Sequence, residues 1–162
     1  MLDTLFGLPA HPLIVHATVV AVPAAAGSVA LAALWPRFRA WAGPLPLLLS
    51  LAALILVPVT VKSGESLARH VDQTALVRRH TDLAHGLLPW VIALAVGAAA
   101  LFWLRRREAR PQSAEHPAVS SLTAVAFIII ALTGVIGSGI QIARIGHSGA
   151  EAAWTRPSAG RN

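Results

Sequence analysis

Four long apolar runs, separated by short charged segments, constrain this chain more than any other feature of its sequence. A helix rises about 1.5 Å per residue, so roughly 20 apolar residues cross a hydrocarbon core about 30 Å thick. Charged residues make up 12% of the 162 residues, about half the share usual in a soluble domain, and 56% are hydrophobic. The runs cover approximately residues 12–34, 44–61, 86–104 and 118–143. We therefore predict an all-α fold, an integral membrane four-helix bundle.

The segment between the second and third runs is too polar to cross a membrane. Within it, Leu67 and Val71, and then Leu76 and His80, recur at helical spacing. We predict a short interfacial helix there, leading into the third span. Residues 1–155 are expected to form one four-span domain and residues 156–162 a disordered tail. The first eleven residues contain no Lys or Arg, so we expect no cleaved signal peptide.

Basic residues lie mainly at the ends of the apolar runs, where they meet lipid headgroups, so we predict no nucleic-acid partner. Four spans place both chain termini on one side of the membrane. The arginines are denser in the first and third connecting segments, as in WPRFRAW and WLRRR. By the excess of positive charge in cytoplasmic loops, we predict a multi-pass protein of the inner (plasma) membrane with extracytoplasmic termini.

Six of the seven histidines fall on the side of the termini if the chain has four spans. Two pairs, in HPLIVH and HTDLAH, precede the first and third runs. Five residues on a helix turn through about 500°, so the members of a pair point roughly 140° apart. Neither pair should hold a metal alone, and one member of each can face the interior. The six are His11, His16, His70, His80, His85 and His147.

The two pairs suggest a weak internal repeat, with spans one and three crossing in the same direction. Two facing helices would then carry histidines at matching depth, which is the geometry of bis-histidine haem b. The plainer interpretation is that each histidine bonds to water, lipid phosphate or a backbone carbonyl. Glycines of the fourth run would allow another helix or a flat cofactor to approach closely.

The segment RIGHSGAEAAW follows the fourth run. Its glycines, Gly146 and Gly149, permit a tight backbone turn. If the segment is helical instead, His147 and Glu151 stand four apart and meet on one turn. Glu65, in KSGES, is either a helix cap or a metal ligand.

Several chemistries are excluded by residue content. Cysteine is absent, so the chain forms no disulfide, thiolate metal site, iron–sulfur cluster or covalent haem attachment. It has no glycine-rich phosphate loop, no GxSxG and no HExxH. Carboxylates are absent from the middle of the apolar runs, which argues against a proton-coupled transporter.

The segments GLPAHPLIVHATVV, VPVTVKSGESLARHV, RRHTDLAHGLLPW and RIGHSGAEAAW resemble, in that order, the bacterial membrane family called domain of unknown function 2231. The resemblance covers about residues 7–154 and implies a four-helix membrane domain. Family members occur beside, or fused to, Rieske-type and c-type cytochrome domains, which implies electron transfer. The family's polar positions match His11, His16, Ser63, Gly64, Glu65, His80, Gly146 and Gly149.

Two positions depart from the family's pattern. Many relatives have Asp where this chain has His147, and His85 does not match a family position. These departures favour His16 and His80 as the shared pair, with His11 next.

The leading functional hypothesis is a redox-associated protein, an electron-transfer or accessory protein rather than a stand-alone enzyme. It predicts haem b held between the first and third spans, with a respiratory or cytochrome partner and a homodimer as candidate assemblies. The predicted ligands are His16 and His80, with His11, His85 and His147 as substitutes or as residues around the ligands. Arg69, Arg78 or Arg79 is expected to pair with the propionates. Alternatively, His16, His80 and Glu65 bind a Zn, Cu or Fe ion. The alternatives are a cofactor-free structural or assembly subunit and, third, a small-solute transporter.

Overall fold

The computed structural model describes residues 4–5, 8–72, 74–111 and 119–154. Two-residue strands β1 and β2 pair in antiparallel fashion ahead of six helices. The elements are β1 Thr4–Leu5, β2 Leu8–Pro9, α1 Ala10–Leu34, α2 Pro36–Ala42, α3 Leu45–Ala68, α4 Ala75–His85, α5 Leu87–Glu108 and α6 Ser121–Trp154.

Four helical segments are long and apolar enough to cross a membrane, which confirms the predicted all-α membrane bundle. They are His11–Leu34, Leu45–Ala68, Ala75–Glu108 and Ser121–Trp154, the third comprising α4 and α5. The amphipathic helix α4 lies where a short interfacial helix was predicted, and none of its residues is buried. Its first turn is capped by Thr74, whose hydroxyl accepts a hydrogen bond from the Val77 amide at 3.3 Å.

The four long helices form a closed ring in the order α1, α3, α5, α6, with each helix packed on its two neighbours. Apolar side chains form the buried core at the centre of the ring. Among them Val22, Val57, Val91, Leu94 and Leu101 are almost completely buried. Because lipid tails give little hydrophobic drive to helix association, close packing of such surfaces holds the bundle together.

Helices α5 and α6 approach most closely at glycines. A Cβ atom on Gly134 would lie 2.5 Å from the backbone nitrogen of Leu94, and one on Gly137 would overlap the ring of Trp90. A Cβ on Gly139 would meet nothing within 4 Å. Gly134 and Gly137 therefore serve helix packing in this structure and do not form a slot for a flat cofactor.

The helices extend further than the apolar runs. Helix α3 continues to Ala68 and α6 to Trp154, so Gly146 and Gly149 lie within a helix and do not form a tight turn. Backbone hydrogen bonds carry a helix past the last apolar residue, and hydropathy alone cannot locate that end. WPRFRAW, predicted only as an interfacial segment, contains the short helix α2. The predicted tail, 156–162, lies outside the described residues.

Candidate functional site

One end of the bundle contains a large cavity. It is formed by the first turns of α1, the C-terminal part of α3, helix α4, and the C-terminal part of α6, which together we call the histidine end. The cavity volume is about 570 Å³, within the range of roughly 300–1,000 Å³ usual for small-molecule sites. Its walls are mainly aliphatic, and two imidazoles, those of His11 and His80, face it from different helices.

The first imidazole, His11 on α1, is held by α3. Its Nδ1 lies 2.9 Å from the hydroxyl of Ser63, and that hydroxyl donates to the carbonyl of Thr60 at 2.8 Å. Ser63 is 2% exposed, so its hydroxyl is shielded from bulk water. The ring is therefore fixed by a buried group, and its other edge is directed toward the cavity.

The second imidazole, His80 on α4, is held in the same way by α6. Its Nδ1 lies 3.1 Å from the hydroxyl of Ser148, which donates to the carbonyl of Ile145 at 3.0 Å. Ser148 is also 2% exposed. Two histidines from separate helices, α1 and α4, thus share one pattern of contacts.

A glycine follows each of these serines and gives the imidazole room. A Cβ on Gly64 would lie 3.0 Å from Cε1 of His11, and one on Gly149 would lie 3.1 Å from Cε1 of His80. Both distances are tighter than ordinary van der Waals contact. We call each serine with its following glycine a Ser–Gly cradle, and the chain has one at Ser63–Gly64 and one at Ser148–Gly149.

Carboxylates at the rim of the cavity are paired with cationic side chains. Glu65 accepts a hydrogen bond from Nε2 of His85 at 2.8 Å, and Nδ1 of His85 donates to the carbonyl of Thr81 at 2.9 Å. Both ring nitrogens face oxygen atoms that accept hydrogen bonds, so the geometry suits a doubly protonated His85 paired with the Glu65 carboxylate. Glu151 pairs with Arg79 at 3.4 Å and with His147 at 3.2 Å.

The structure places the predicted site residues in three groups. His11 and His80 line the cavity, as does Glu65. His85, His147 and Arg79 belong to the ion pairs at the rim, with His85 and His147 exposed. His16 is exposed and its Nδ1 donates to the carbonyl of Pro12, one turn back on its own helix, at 2.6 Å.

The structure therefore brings together His11 and His80, and it does not bring together His16 and His80, the favoured pair. In each histidine pair the first member faces the cavity and the second points away, as their 140° separation requires. Which member faces inward depends on how the helix is rotated in the bundle. The spacing alone carried no information on that rotation.

Sequence reasoning missed the role of Ser148 and gave Ser63 no role beyond a family position. A signal was present, since KSGES and HSGAE both contain Ser-Gly followed within two residues by Glu. The two segments end α3 and α6, the two helices that hold the imidazoles.

The donor set distinguishes the two kinds of cofactor that were predicted. No group of three or more His, Cys, Asp or Glu side chains that could hold a metal ion occurs among the described residues. A zinc ion takes three or four protein ligands, and the described side chains form no such set. Haem b needs only two imidazoles, and the cavity has two in its lining, those of His11 and His80.

The four apolar helices and their packing define a multi-pass membrane protein. The family model described as "Predicted membrane protein (DUF2231)" matches residues 7–156, and the chain belongs to that family. The resemblance noted in the sequence is thereby confirmed. Neither a curated protein nor a solved structure matches the chain significantly.

Proposed function

We propose that this membrane protein is redox-associated and binds haem b at the histidine end, where Nε2 of His11 and Nε2 of His80 would hold the iron. One observation carries the proposal: two imidazoles from separate helices, each fixed at Nδ1 by a buried serine, face one apolar cavity. His11 takes the place that sequence reasoning gave to His16.

The surroundings of the two imidazoles support this ligand. Aliphatic side chains of α1, α3 and α6 form the walls, which suits the apolar face of a porphyrin and excludes water. Basic side chains lie at the rim. Arg79 is largely exposed and joined to Glu151 at 3.4 Å, so a propionate can compete for it.

When bound, haem supplies one-electron chemistry, and the chain's own residues supply orientation. The serines Ser63 and Ser148 hold the imidazole rings, and the glycines after them leave room for the rings to lie against α3 and α6. Thr18 and Thr60 share a hydrogen bond of 2.6 Å at the cavity wall, which keeps α1 against α3. The site is thus built from contacts between helices.

A cofactor-free structural or assembly subunit is the second candidate. It is favoured by the hydrogen bonds that join α4 to its neighbours, namely His80 with Ser148 and His85 with Glu65. In that case the same contacts fix a docking surface. A transporter is not proposed, because the almost completely buried Val22, Val57 and Val91 fill the interior beyond Thr18 with apolar groups.

The setting of the protein is part of the proposal. We place it in the inner (plasma) membrane with the histidine end and both termini on the extracytoplasmic side. Its partner there would be a respiratory or cytochrome protein, and a homodimer is the candidate assembly. The density of arginines at the other end of the bundle supports this orientation.

The test is an absorption spectrum of the detergent-purified protein from haem-replete cells, oxidised and then reduced with dithionite. We expect a Soret band and split α and β bands in the reduced form. His11→Ala and His80→Ala should each lower haem affinity by at least about tenfold, the least that losing a supporting contact to a ligand costs. His16→Ala is the matched control and should bind like the wild type.

Two results would contradict the proposal. A folded, colourless protein that also fails to take up added haemin would leave the structural subunit as the better account. If His16→Ala lost the haem and His11→Ala kept it, the haem would not bind in this cavity.

A further inference from the structure

The contacts of the two Ser–Gly cradles favour one tautomer of each imidazole. A serine hydroxyl has one proton. Ser63 lies within hydrogen-bond distance of the carbonyl of Thr60 at 2.8 Å, and Ser148 of the carbonyl of Ile145 at 3.0 Å. A carbonyl cannot donate, so a hydroxyl that gives its proton to the carbonyl can only accept from the histidine. In that arrangement all four groups are satisfied, with Nδ1 of His11 and Nδ1 of His80 as the donors.

The other nitrogen of each neutral ring then carries a lone pair. Both rings line the cavity, and the described part of the chain gives neither Nε2 a hydrogen bond. Hydrogen bonds are donated in the same direction in both cradles, from the imidazole to the serine and from the serine to the backbone carbonyl. Because the serines are buried, water does not compete to reverse it.

We propose that Ser63 and Ser148 are a matched pair of positioning residues that hold His11 and His80 in the Nδ1–H tautomer. The cavity is thereby presented with two Nε2 lone pairs. Such a site takes an electron-pair acceptor that is open on two faces, and repels a ligand that offers lone pairs of its own. The identity of that acceptor as haem iron rests on the proposed function, whereas the tautomers do not.

The bond from Nδ1 also sets how strongly Nε2 donates. A hydrogen bond from the outer ring nitrogen raises the basicity of the ligating one, and losing such a partner typically lowers metal affinity by about 10–100-fold. Weaker donation disfavours the ferric state more than the ferrous state. Removing either serine hydroxyl should therefore raise the midpoint potential of a bound haem.

The chain provides a matched control in Ser138. It lies on α6, as Ser148 does, is completely buried, and donates to the carbonyl of Val135 at 3.2 Å. Its bonds involve no histidine. Ser138→Ala therefore removes the same kind of buried hydroxyl from the same helix, without touching a cradle.

The first experiment reads the tautomers in the absence of any cofactor. Imidazole nitrogens of the ¹⁵N-histidine-labelled apoprotein in detergent are observed by NMR at alkaline pH, where the rings are neutral. We expect Nδ1–H for His11 and His80, loss of it for His11 alone in Ser63→Ala, and for His80 alone in Ser148→Ala. Ser138→Ala should change the tautomer of neither ring. If Ser63→Ala does not fold, Ser63→Thr takes its place in the experiment; it keeps the hydroxyl and should preserve the wild-type tautomer.

The second experiment titrates haemin into the same variants and measures the midpoint potential. We expect each cradle variant to raise it, by about 59 mV for every tenfold change in the ratio of ferric to ferrous affinity. Nε2–H tautomers in the wild type, or cradle variants that behave like Ser138→Ala in both experiments, would overturn the positioning role. Expected tautomers in a protein that binds no haem would support that role and end the haem proposal alone.

Discussion

The two ends of the bundle differ in how their polar groups are bonded and in how much space lies beside them. At the end formed by α2, the start of α3 and the end of α5, which we call the arginine end, Arg39 is buried. It donates to the carbonyl of Ala32 at 2.9 Å and to Glu108 at 2.8 Å. The void beside it is about 10 Å³, room for about one water molecule. The histidine end has a cavity of about 570 Å³ instead.

The difference supports the proposal that the histidine end receives a ligand. At the arginine end the buried guanidinium finds its partners within the chain, which is the condition for burying a charge at tolerable cost. At the histidine end Nδ1 of each cavity imidazole is bonded and Nε2 has no partner in the described helices. The closed end stabilises the fold, and with the proposed tautomers the open end presents two lone pairs to its cavity.

The largest effect is expected where both ends depend on the same contact, the α5–α6 seam. Gly134→Leu would force a side chain into the backbone of Leu94, only 2.5 Å from the position of Cβ. Backbone cannot rotate away, so the cost should exceed the about 1–3 kcal/mol typical of overpacking, and both ends should lose their structure together. Unfolding in mixed detergent micelles, followed by circular dichroism, measures it.

Gly139→Leu is the control on the same helix, since nothing lies within 4 Å of its Cβ position. Equal stability of the two variants would mean that the seam does not hold the ends together.

A change confined to the arginine end should have an intermediate effect. Glu108→Gln leaves the buried Arg39 without its charged partner. We expect the free energy of unfolding to fall by about 1–3 kcal/mol, the range for a buried group left unsatisfied. The buried group is Arg39, since Glu108 itself is half exposed. The imidazole tautomers at the other end should not change.

Arg39→Met separates the charge from the packing. It removes the guanidinium and keeps an apolar side chain, so it should cost less than Glu108→Gln, because replacing an ion pair by apolar groups is often neutral. If Arg39→Met is the more damaging change in the same unfolding assay, the closed end is held by the bond to Ala32 and not by the ion pair.

The smallest effect is expected for an ion pair at the histidine end. Glu65→Gln removes the partner of His85, and both side chains are about half exposed. Exposed pairs contribute less than about 1 kcal/mol and are screened by salt. We expect a small loss of stability at low ionic strength that disappears at high salt. A loss as large as that of Glu108→Gln would erase the contrast between the two ends.

The sequence predicted the four spans and the placing of six histidines on one side of the membrane, because both follow from hydropathy and chain direction. It also predicted that the members of each histidine pair point apart. It could not choose His11 over His16, since that depends on the rotation of α1 against α3. Arg39 was interpreted as a topology signal, and its pairing with Glu108 joins residues 69 positions apart.

The cradles are a second case in which the sequence shows a local pattern but not the residue that it contacts. In each, the serine bonds its own helix and also a histidine from another helix, 52 residues away for Ser63 and 68 for Ser148. The dipeptide Ser-Gly is visible in the sequence. Its partner is not, because no local pattern encodes which helix will pack beside it.

The length of α6 has a consequence for where the cavity lies. Its 34 residues extend about 51 Å at 1.5 Å per residue, well beyond a hydrocarbon core of about 30 Å. Its polar last turns, from Arg144 to Trp154, are the part that need not lie in hydrocarbon, and α4 packs against α6. The cavity lined by α4 and these last turns therefore lies toward one end of the bundle, away from its apolar middle.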